Sequence, residues 1–189
     1  LICAGGTGGG VYPALTVLKA MKASLSELSS QRPVPDQLRA NENLQVLWVG
    51  GEGGMEEDLV KRAGVPFEAI PAAGVHGVNL RTLPGNVWKL SRGYRQARRL
   101  LQRFHPDALF FTGGYVAVPV ALAGRAIPSL LYVPDIEPGL ALKTLARFAD
   151  HIALTAEDSR AYFSAAKRRQ VTVTGYPVRK DLTNWRLED

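Results

Sequence analysis

Short apolar runs alternate with longer amphipathic segments along most of the 189-residue chain. This alternation is typical of βαβ units, which build a mostly parallel sheet with helices on both faces. The runs are almost continuously apolar, as expected of strands that are covered on both sides. We therefore predict a doubly wound, Rossmann-like α/β domain. The predicted strands are Leu1–Ala4, Gln45–Val49, Phe67–Ile70, Ala108–Phe111, Ser129–Val133, His151–Leu154 and Val171–Val173.

Six segments between these strands have helical periodicity. They are Tyr12–Leu28, Met55–Ala63, Leu83–Phe104, Val116–Gly124, Gly139–Phe148 and Ala156–Ala166. Residues 29–43 are rich in Ser, Pro, Gln and Asn and have no clear period, which predicts a surface insertion. We expect residues 1–180 to form one domain and residues 181–189 to begin a linker toward a further domain. The chain begins without a Met and already inside a predicted strand, so we expect it to be a piece of a longer protein.

Composition narrows the classes of protein that this chain can belong to. Hydrophobic residues make up 46% of the chain, but no apolar run reaches the roughly 18 residues of a spanning helix. The sequence does not begin with the residue pattern of a secretory signal peptide. The net charge of +6 favours anionic partners. The single cysteine, Cys3, has no partner for an internal disulfide and is expected to be a small buried residue.

The strongest chemical signal is the turn after the first predicted strand. It reads Gly5-Gly6-Thr7-Gly8-Gly9-Gly10 and leads into a helix predicted to begin near Val11. Glycines let a ligand approach the backbone, and a helix start offers unpaired N–H groups and a positive dipole end. An anion is therefore the expected ligand, although a tight turn without a ligand is the alternative.

Two classes of phosphate binder fit this turn poorly. A Walker-type triphosphatase needs Gly-Lys-Ser/Thr at the end of the loop, whereas Gly9-Gly10 is followed by Val11. A dinucleotide-binding fold needs an acidic residue about 20 residues beyond the glycines. Glu52 follows the second strand but lies much farther along the chain, so this alternative stays open as the weaker one.

Two further turns follow predicted strands. Thr112-Gly113-Gly114-Tyr115 is again rich in glycine, and Tyr115 brings a hydroxyl and a ring that have either a structural or a binding role. The turn beginning at Pro134 carries Asp135 and Glu137. Asp135 either caps the next helix or contacts a sugar hydroxyl. Because the carboxyl ends of parallel strands meet at one edge, we expect these turns to share a cleft.

The segment Leu80–Arg103 is basic and interleaved with aromatic and aliphatic residues. Such a helix can lie on an anionic membrane surface, where each cation contributes about 1 kcal/mol, but a helix with its arginines in water is the common alternative. The candidate membrane-facing residues are Val75, Val78, Leu80, Arg81, Trp88, Lys89 and Arg92. His76, His105 and His151 lack metal-ligand spacing, so structural roles are predicted for them, and neither a metal nor another cofactor is expected.

Several motifs in order resemble those of MurG-type UDP-N-acetylglucosamine transferases, glycosyltransferase family 28 with the GT-B fold. They are Ala4-Gly5-Gly6-Thr7-Gly8-Gly9 with Pro13-Ala14-Leu15, Met55-Glu56-Glu57-Asp58-Leu59-Val60, Tyr94-Arg95-Gln96-Ala97-Arg98, Gly113-Gly114-Tyr115-Val116 and Gly175-Tyr176-Pro177-Val178-Arg179. The resemblance implies the N-terminal, acceptor-binding domain of an enzyme of peptidoglycan synthesis. That enzyme would transfer N-acetylglucosamine from UDP-GlcNAc to an undecaprenyl-diphosphate-linked muramoyl pentapeptide.

The resemblance also implies roles for particular residues and a location. The residues of the two glycine turns, including Tyr115, would contact the acceptor diphosphate. The UDP-sugar would bind a C-terminal domain, and the protein would lie peripherally on the cytoplasmic face of the cell membrane. We expect no turnover from this domain alone.

The sequence departs from the family at two places. Gly10 occupies the position of a family histidine that is assigned a role near the acceptor hydroxyl, and Tyr132-Val133-Pro134-Asp135 replaces the family's His-Glu-Gln-Asn. These departures suggest either a different acceptor or another catalytic base. Asp135 and Glu137 are the candidates for that base.

Two alternatives to a catalytic half-enzyme remain open at this point. The domain could be a non-catalytic acceptor or membrane module that recruits a donor-binding partner chain. It could also be a nucleotide-cofactor or nucleic-acid binder, although the arginines form no recognised nucleic-acid module.

Overall fold

A computed structural model describes residues 1–5, 8–31, 44–72 and 83–178 of the chain. These residues form one fully parallel sheet. Its strands are β1 (Ile2–Ala4), β2 (Trp48–Gly51), β3 (Phe67–Ile70), β4 (Leu109–Gly113), β5 (Ser129–Val133), β6 (His151–Leu154) and β7 (Val171–Val173). The α-helices are α1 (Gly8–Gln31), α2 (Glu56–Arg62), α3 (Leu83–Phe104), α4 (Ala117–Ala123), α5 (Leu140–Leu145) and α6 (Ala165–Arg168), with a 3₁₀-helix at Glu157–Tyr162.

The strand order is β3-β2-β1-β4-β5-β6-β7. The chain winds outward from β1 in one direction, returns through α3, and winds outward from β4 in the other. Ile2 of β1 is therefore paired with Trp48 of β2 on one side and with Phe110 of β4 on the other. The order reverses between β1 and β4, and open α/β sheets bind ligands at the carboxyl ends of the strands at such a point.

Helices cover the two faces of the sheet and define two hydrophobic cores. On one face, Val11 of α1 and Val60 of α2 pack with Trp48, whose indole N–H donates to the carbonyl oxygen of Ala4 at 3.0 Å. On the other face, α3, α4 and α5 pack over Phe111 and its neighbours. Trp48 and Phe111 are almost fully buried, and burying one such side chain stabilises a fold by about 1.5 to 3 kcal/mol.

The doubly wound α/β class is confirmed, and all seven predicted strands are present. The second strand lies further along the chain than predicted, because Gly50 and Gly51 continue the pairing with Ala69 and Ile70. Glycine has a low strand propensity, so only the pairing with β3 shows that these residues belong to the strand.

The predicted limits of the first helix are wrong at both ends. Helix α1 begins at Gly8, inside the glycine run, because its first turn is held by contacts with β4 rather than by the propensity of its own residues. It also ends at Gln31, so residues 29–31 are helical and do not belong to the predicted insertion. Once a helix has formed, each added residue gains a hydrogen bond without a new nucleation cost. Residues 32–43 lie outside the described part of the chain, as do residues 181–189 of the predicted linker.

The predicted helix Ala156–Ala166 is divided in two. The chain becomes extended at Phe163, whose side chain is buried in the core, so the 3₁₀-helix stops before it. Ser164 then caps α6 by accepting the N–H of Lys167. Burial of Phe163 outweighs the helical period of the local sequence.

Candidate functional site

The turns after β1 and β4 meet at the carboxyl edge of the sheet. Gly5 directly follows β1, and Gly113 and Gly114 have φ angles of +128° and +84°. A Cβ built on Gly114 would lie 2.6 Å from the carbonyl oxygen of Gly5, which is closer than real Cβ contacts come. The two turns therefore approach each other backbone to backbone at the reversal point of the sheet.

The first turn of α1 rests on the end of β4. The buried Thr112 hydroxyl donates to the carbonyl oxygen of Gly10 at 2.7 Å, and a Cβ on Gly10 would lie 3.2 Å from the carbonyl oxygen of Thr112. This contact orients the start of α1, where Gly8 and Gly9 are among the residues whose N–H groups precede the first intrahelical bonds. Of the predicted phosphate-binding residues, Gly6 and Thr7 lie outside the described part of the chain.

A third glycine-rich turn, Gly50–Gly54, lies at the same edge and includes the last two residues of β2. It surrounds the carboxylate of Glu56, a residue that is only 2% exposed. The Glu56 Oε1 accepts the backbone N–H of Gly51 at 2.8 Å. Sequence reasoning missed this residue as a functional candidate, and its one signal was an acidic residue two positions after a run with four glycines.

The turn after β5 leaves its carboxylates exposed. Glu137 pairs with Lys143, with 3.6 Å between Oε1 and Nζ. The capping alternative for Asp135 is wrong: α5 is preceded by Gly139 as its N-cap residue, and no side chain bonds to that helix start. The chain stays extended at Gly139, which leaves Asp135 four residues before this N-cap position and at the carboxyl edge.

Tyr132 lies beside this turn and bonds to the neighbouring strand ends. Its hydroxyl lies 2.8 Å from Thr155 Oγ1 and 3.4 Å from the carbonyl oxygen of Gly175. Burial raises the pKa of Tyr132, so this residue is neutral at physiological pH. The side chain joins the ends of β5, β6 and β7 and does not provide the titratable group that a histidine would provide there. Tyr115, by contrast, is 41% exposed beside the Gly113-Gly114 turn.

Three of the candidate membrane-facing residues are described, and all lie in the first half of α3. Trp88 is 59% exposed, and the guanidinium of Arg92 lies 4.9 Å from the centre of its ring; Lys89 is also exposed. Because α3 begins near the carboxyl edge of the sheet, this half of the helix lies toward the glycine turns. Val75, Val78, Leu80 and Arg81 lie outside the described residues.

None of the helices in the described ranges combines the length and the apolarity needed to cross a bilayer.

The two histidines within the described ranges lie apart from the glycine turns. His105 ends α3 with a φ of +49°, a conformation common just after a helix, and His151 is exposed at the start of β6. The structural roles stay a prediction for both residues, and His76 lies outside the described ranges. In the part of the chain that the structure describes, no group of three or more His, Cys, Asp or Glu converges as metal ligands would.

A surface cavity of about 500 Å³ lies at the opposite edge of the sheet. The cavity lies where β2 and β3 begin and where α3 ends. The residues that line it include Leu47, Val65, Pro66 and Phe104. Since the amino ends of the strands form this edge, the cavity lies away from the glycine turns. We attach no function to it.

Comparison with known proteins agrees with this geometry. The model of the glycosyltransferase family 28 N-terminal domain matches residues 35–154. This chain belongs to glycosyltransferase family 28. The membership that the resemblance of several ordered motifs implied is therefore confirmed.

Relatives of this family 28 chain carry one long name, UDP-N-acetylglucosamine--N-acetylmuramyl-(pentapeptide) pyrophosphoryl-undecaprenol N-acetylglucosamine transferase. The relative from Roseiflexus sp. (strain RS-1) is 40% identical over 94% of this chain and 45% of its own length. The relative from Pelobacter propionicus is 39% identical over 96% of this chain and 44% of its own length. The family 28 chain thus spans about half the length of the curated relatives that it matches.

Two solved structures have a fold similar to that of this chain. The crystal structure of Acinetobacter baumannii MurG matches with a TM-score of 0.66 and 26% identity, over 97% of this chain and 46% of that one. S. aureus MnaA, solved with UDP, matches with a TM-score of 0.59 over 93% of this chain and 43% of that one. At 12% identity the second likeness concerns the fold alone.

Proposed function

We propose that this family 28 chain is the acceptor-binding half of an N-acetylglucosamine transferase. Its acceptor would be a muramoyl pentapeptide linked through a diphosphate to undecaprenol, and its donor would be UDP-GlcNAc. The observation that carries the proposal is the contact between Gly5 and Gly114 at the reversal point of the sheet. The names of the curated relatives support the choice of substrates.

The diphosphate would bind where the two glycine turns meet the first turn of α1. The first N–H groups of a helix are unpaired and lie at the positive end of its dipole, so they stabilise a negative charge. In this proposal Gly5, Gly6, Thr7, Gly8, Gly9 and Gly10 contact one side of the acceptor diphosphate, and Gly113, Gly114 and Tyr115 contact the other. Glycines in both turns leave the backbone open to the phosphate oxygens.

The transfer would proceed by inverting attack. The acceptor hydroxyl oxygen would bond to the anomeric carbon of N-acetylglucosamine as the bond from that carbon to UDP breaks, and UDP would leave as an anion. Asp135 or Glu137 would take the hydroxyl proton as general base, since Gly10 supplies no imidazole. UDP-GlcNAc would bind mainly to a C-terminal domain, as the half-length match to the relatives suggests.

A peripheral position on the inner face of the membrane would bring the cleft to the lipid-linked acceptor. Trp88, Lys89 and Arg92 support this part of the proposal because they are exposed on the half of α3 that lies toward the glycine turns. An exposed tryptophan beside cations is the combination that binds an anionic lipid surface. Val75, Val78, Leu80 and Arg81 would extend the same surface.

A transfer assay with the full-length protein tests the proposed reaction. Radiolabelled UDP-GlcNAc and the muramoyl lipid acceptor should give labelled lipid product, and acceptor lacking the diphosphate should give none. Calorimetry with NAD, UDP and farnesyl diphosphate separates the other classes. Binding of NAD with no binding of farnesyl diphosphate would contradict the proposal and favour a cofactor-binding domain.

A further inference from the structure

The buried carboxylate of Glu56 is a feature that the proposed reaction does not yet use. Glu56 opens α2 and is 2% exposed, whereas the next residue, Glu57, is partly exposed and pairs with Lys61 at 2.6 Å. Burying a carboxylate is costly unless hydrogen bonds compensate for the lost water. Its position must therefore be explained by what surrounds it.

The turn after β2 wraps around this carboxylate. Gly51 donates its N–H to Oε1 at 2.8 Å, while a Cβ on Gly54 would lie 2.2 Å from Oε2 and a Cβ on Gly50 would lie 3.0 Å from Cγ. A side chain at Gly54 would collide with the buried carboxylate, whereas a Cβ on Gly50 would first meet the Phe67 ring at 2.5 Å. Gly54 thus makes room for Glu56, as Gly114 makes room for Gly5.

The same carboxylate also reaches the first glycine turn. A Cβ on Gly5 would lie 2.7 Å from Glu56 Oε1 and 2.9 Å from Val116 Cγ1. Glu56 and the residue preceding α4 therefore both lie against the Cβ position of Gly5, and the Gly5 carbonyl oxygen lies against Gly114. Backbone and carboxylate form a continuous line of contact from Glu56 through Gly5 to Gly114.

We infer that Glu56 is a positioning residue for the acceptor diphosphate. It sets the position of Gly5, and through Gly5 it sets the spacing of the two turns that would hold the phosphates. The inference rests on the proposed function. It adds the turn after β2 to the proposed site, because the first and second glycine turns do not set their own spacing. Glu56 acts through Gly5 and does not touch the substrate.

The test compares Glu56→Asp with Glu56→Gln in the full-length protein. Asp keeps the charge but withdraws the carboxylate from Gly5, so the acceptor KM should rise about tenfold while the KM for UDP-GlcNAc stays at the parent value. Gln keeps the length and an accepting oxygen for the Gly51 N–H, so it should recover most of the acceptor affinity. Glu57→Gln removes the neighbouring, more exposed carboxylate and should match the parent in both constants.

A merely structural role would give a different result. Glu56→Asp would then lower the thermal unfolding midpoint and the amount of active enzyme, with both KM values unchanged, and that outcome would overturn the inference. Calorimetry with farnesyl diphosphate keeps the test independent of the reaction. If the parent protein binds farnesyl diphosphate but transfers no sugar, the proposed reaction is wrong. A tenfold weaker binding of the probe by Glu56→Asp would still support the role of Glu56. Equal binding by parent and variant overturns that role, and no binding by the parent overturns both proposals.

Discussion

Gly114 lies so close to Gly5 that a Cβ at position 114 would come within 2.6 Å of the Gly5 carbonyl oxygen. The residue also has a φ of +84°. Two separate constraints, backbone conformation and space, therefore act on one position in the candidate site. They can be separated experimentally because Gly64 has a φ of +68° but nothing within 4 Å of its Cβ position.

Gly114→Ala should destabilise the fold more than Gly64→Ala does. A left-handed conformation costs an L-residue about 1 to 2 kcal/mol, and both variants carry this cost. Gly114→Ala adds a backbone clash, for which about 1 to 3 kcal/mol more is expected. Urea denaturation measures the difference in the free energy of unfolding, and equal losses in the two variants would show that the contact with Gly5 is not close in solution.

Asp135→Asn should lower kcat of the full-length enzyme by about a hundredfold or more, with little change in the acceptor KM. Loss of a general base removes stabilisation of the transition state rather than substrate binding. Glu137→Gln should have a smaller effect, because the Glu137 carboxylate is already paired with Lys143. Asp107→Asn, an exposed carboxylate at the other edge of the sheet, is the control. If neither Asp135→Asn nor Glu137→Gln changes kcat, the base lies elsewhere.

Lys89→Gln and Arg92→Gln should each weaken binding of the full-length protein to vesicles that contain anionic phospholipid. A cation near such a surface contributes about 1 kcal/mol, so each change should reduce partitioning about fivefold at low salt, and added salt should shrink the difference. Arg147→Gln removes an exposed cation near the opposite edge and should leave partitioning unchanged. Vesicle sedimentation measures the effect. A loss of the same size in Arg147→Gln would show that net charge alone, rather than this half of α3, determines binding.

Cys3 should resist alkylation until the protein unfolds. Burial raises the pKa of its thiol well above the ordinary value, with a further contribution from the nearby charge of Glu56, so almost no thiolate exists at neutral pH. It is the chain's single cysteine, so labelling by a maleimide reports on this site alone. Labelling should be slow in buffer and rapid in concentrated urea. Fast labelling of the native chain would mean that the β1 strand opens readily.

Short-range patterns were enough to predict the architecture. The seven strands and the long helix α3 were recognised because an apolar run of three to five residues between helical segments has few other folded solutions. Helix ends were predicted less well. The start of α1 depends on the hydrogen bond from Thr112 to Gly10, which joins residues 102 positions apart. Local periodicity contains no information about such a contact.

The sequence by itself determined the class of fold and the presence of two glycine turns after strands, because these follow from residue types and spacings that are local along the chain. Its resemblance to glycosyltransferase family 28 implied the membership that the family comparison shows. Only the tertiary structure decided that Gly5 and Gly114 touch, that Glu56 is buried between the turns, and that Asp135 does not cap α5. The first two outcomes depend on β1 lying between β2 and β4 in the sheet, because that order brings together atoms that are far apart in sequence. The third depends on the backbone between β5 and α5, which is extended at Gly139.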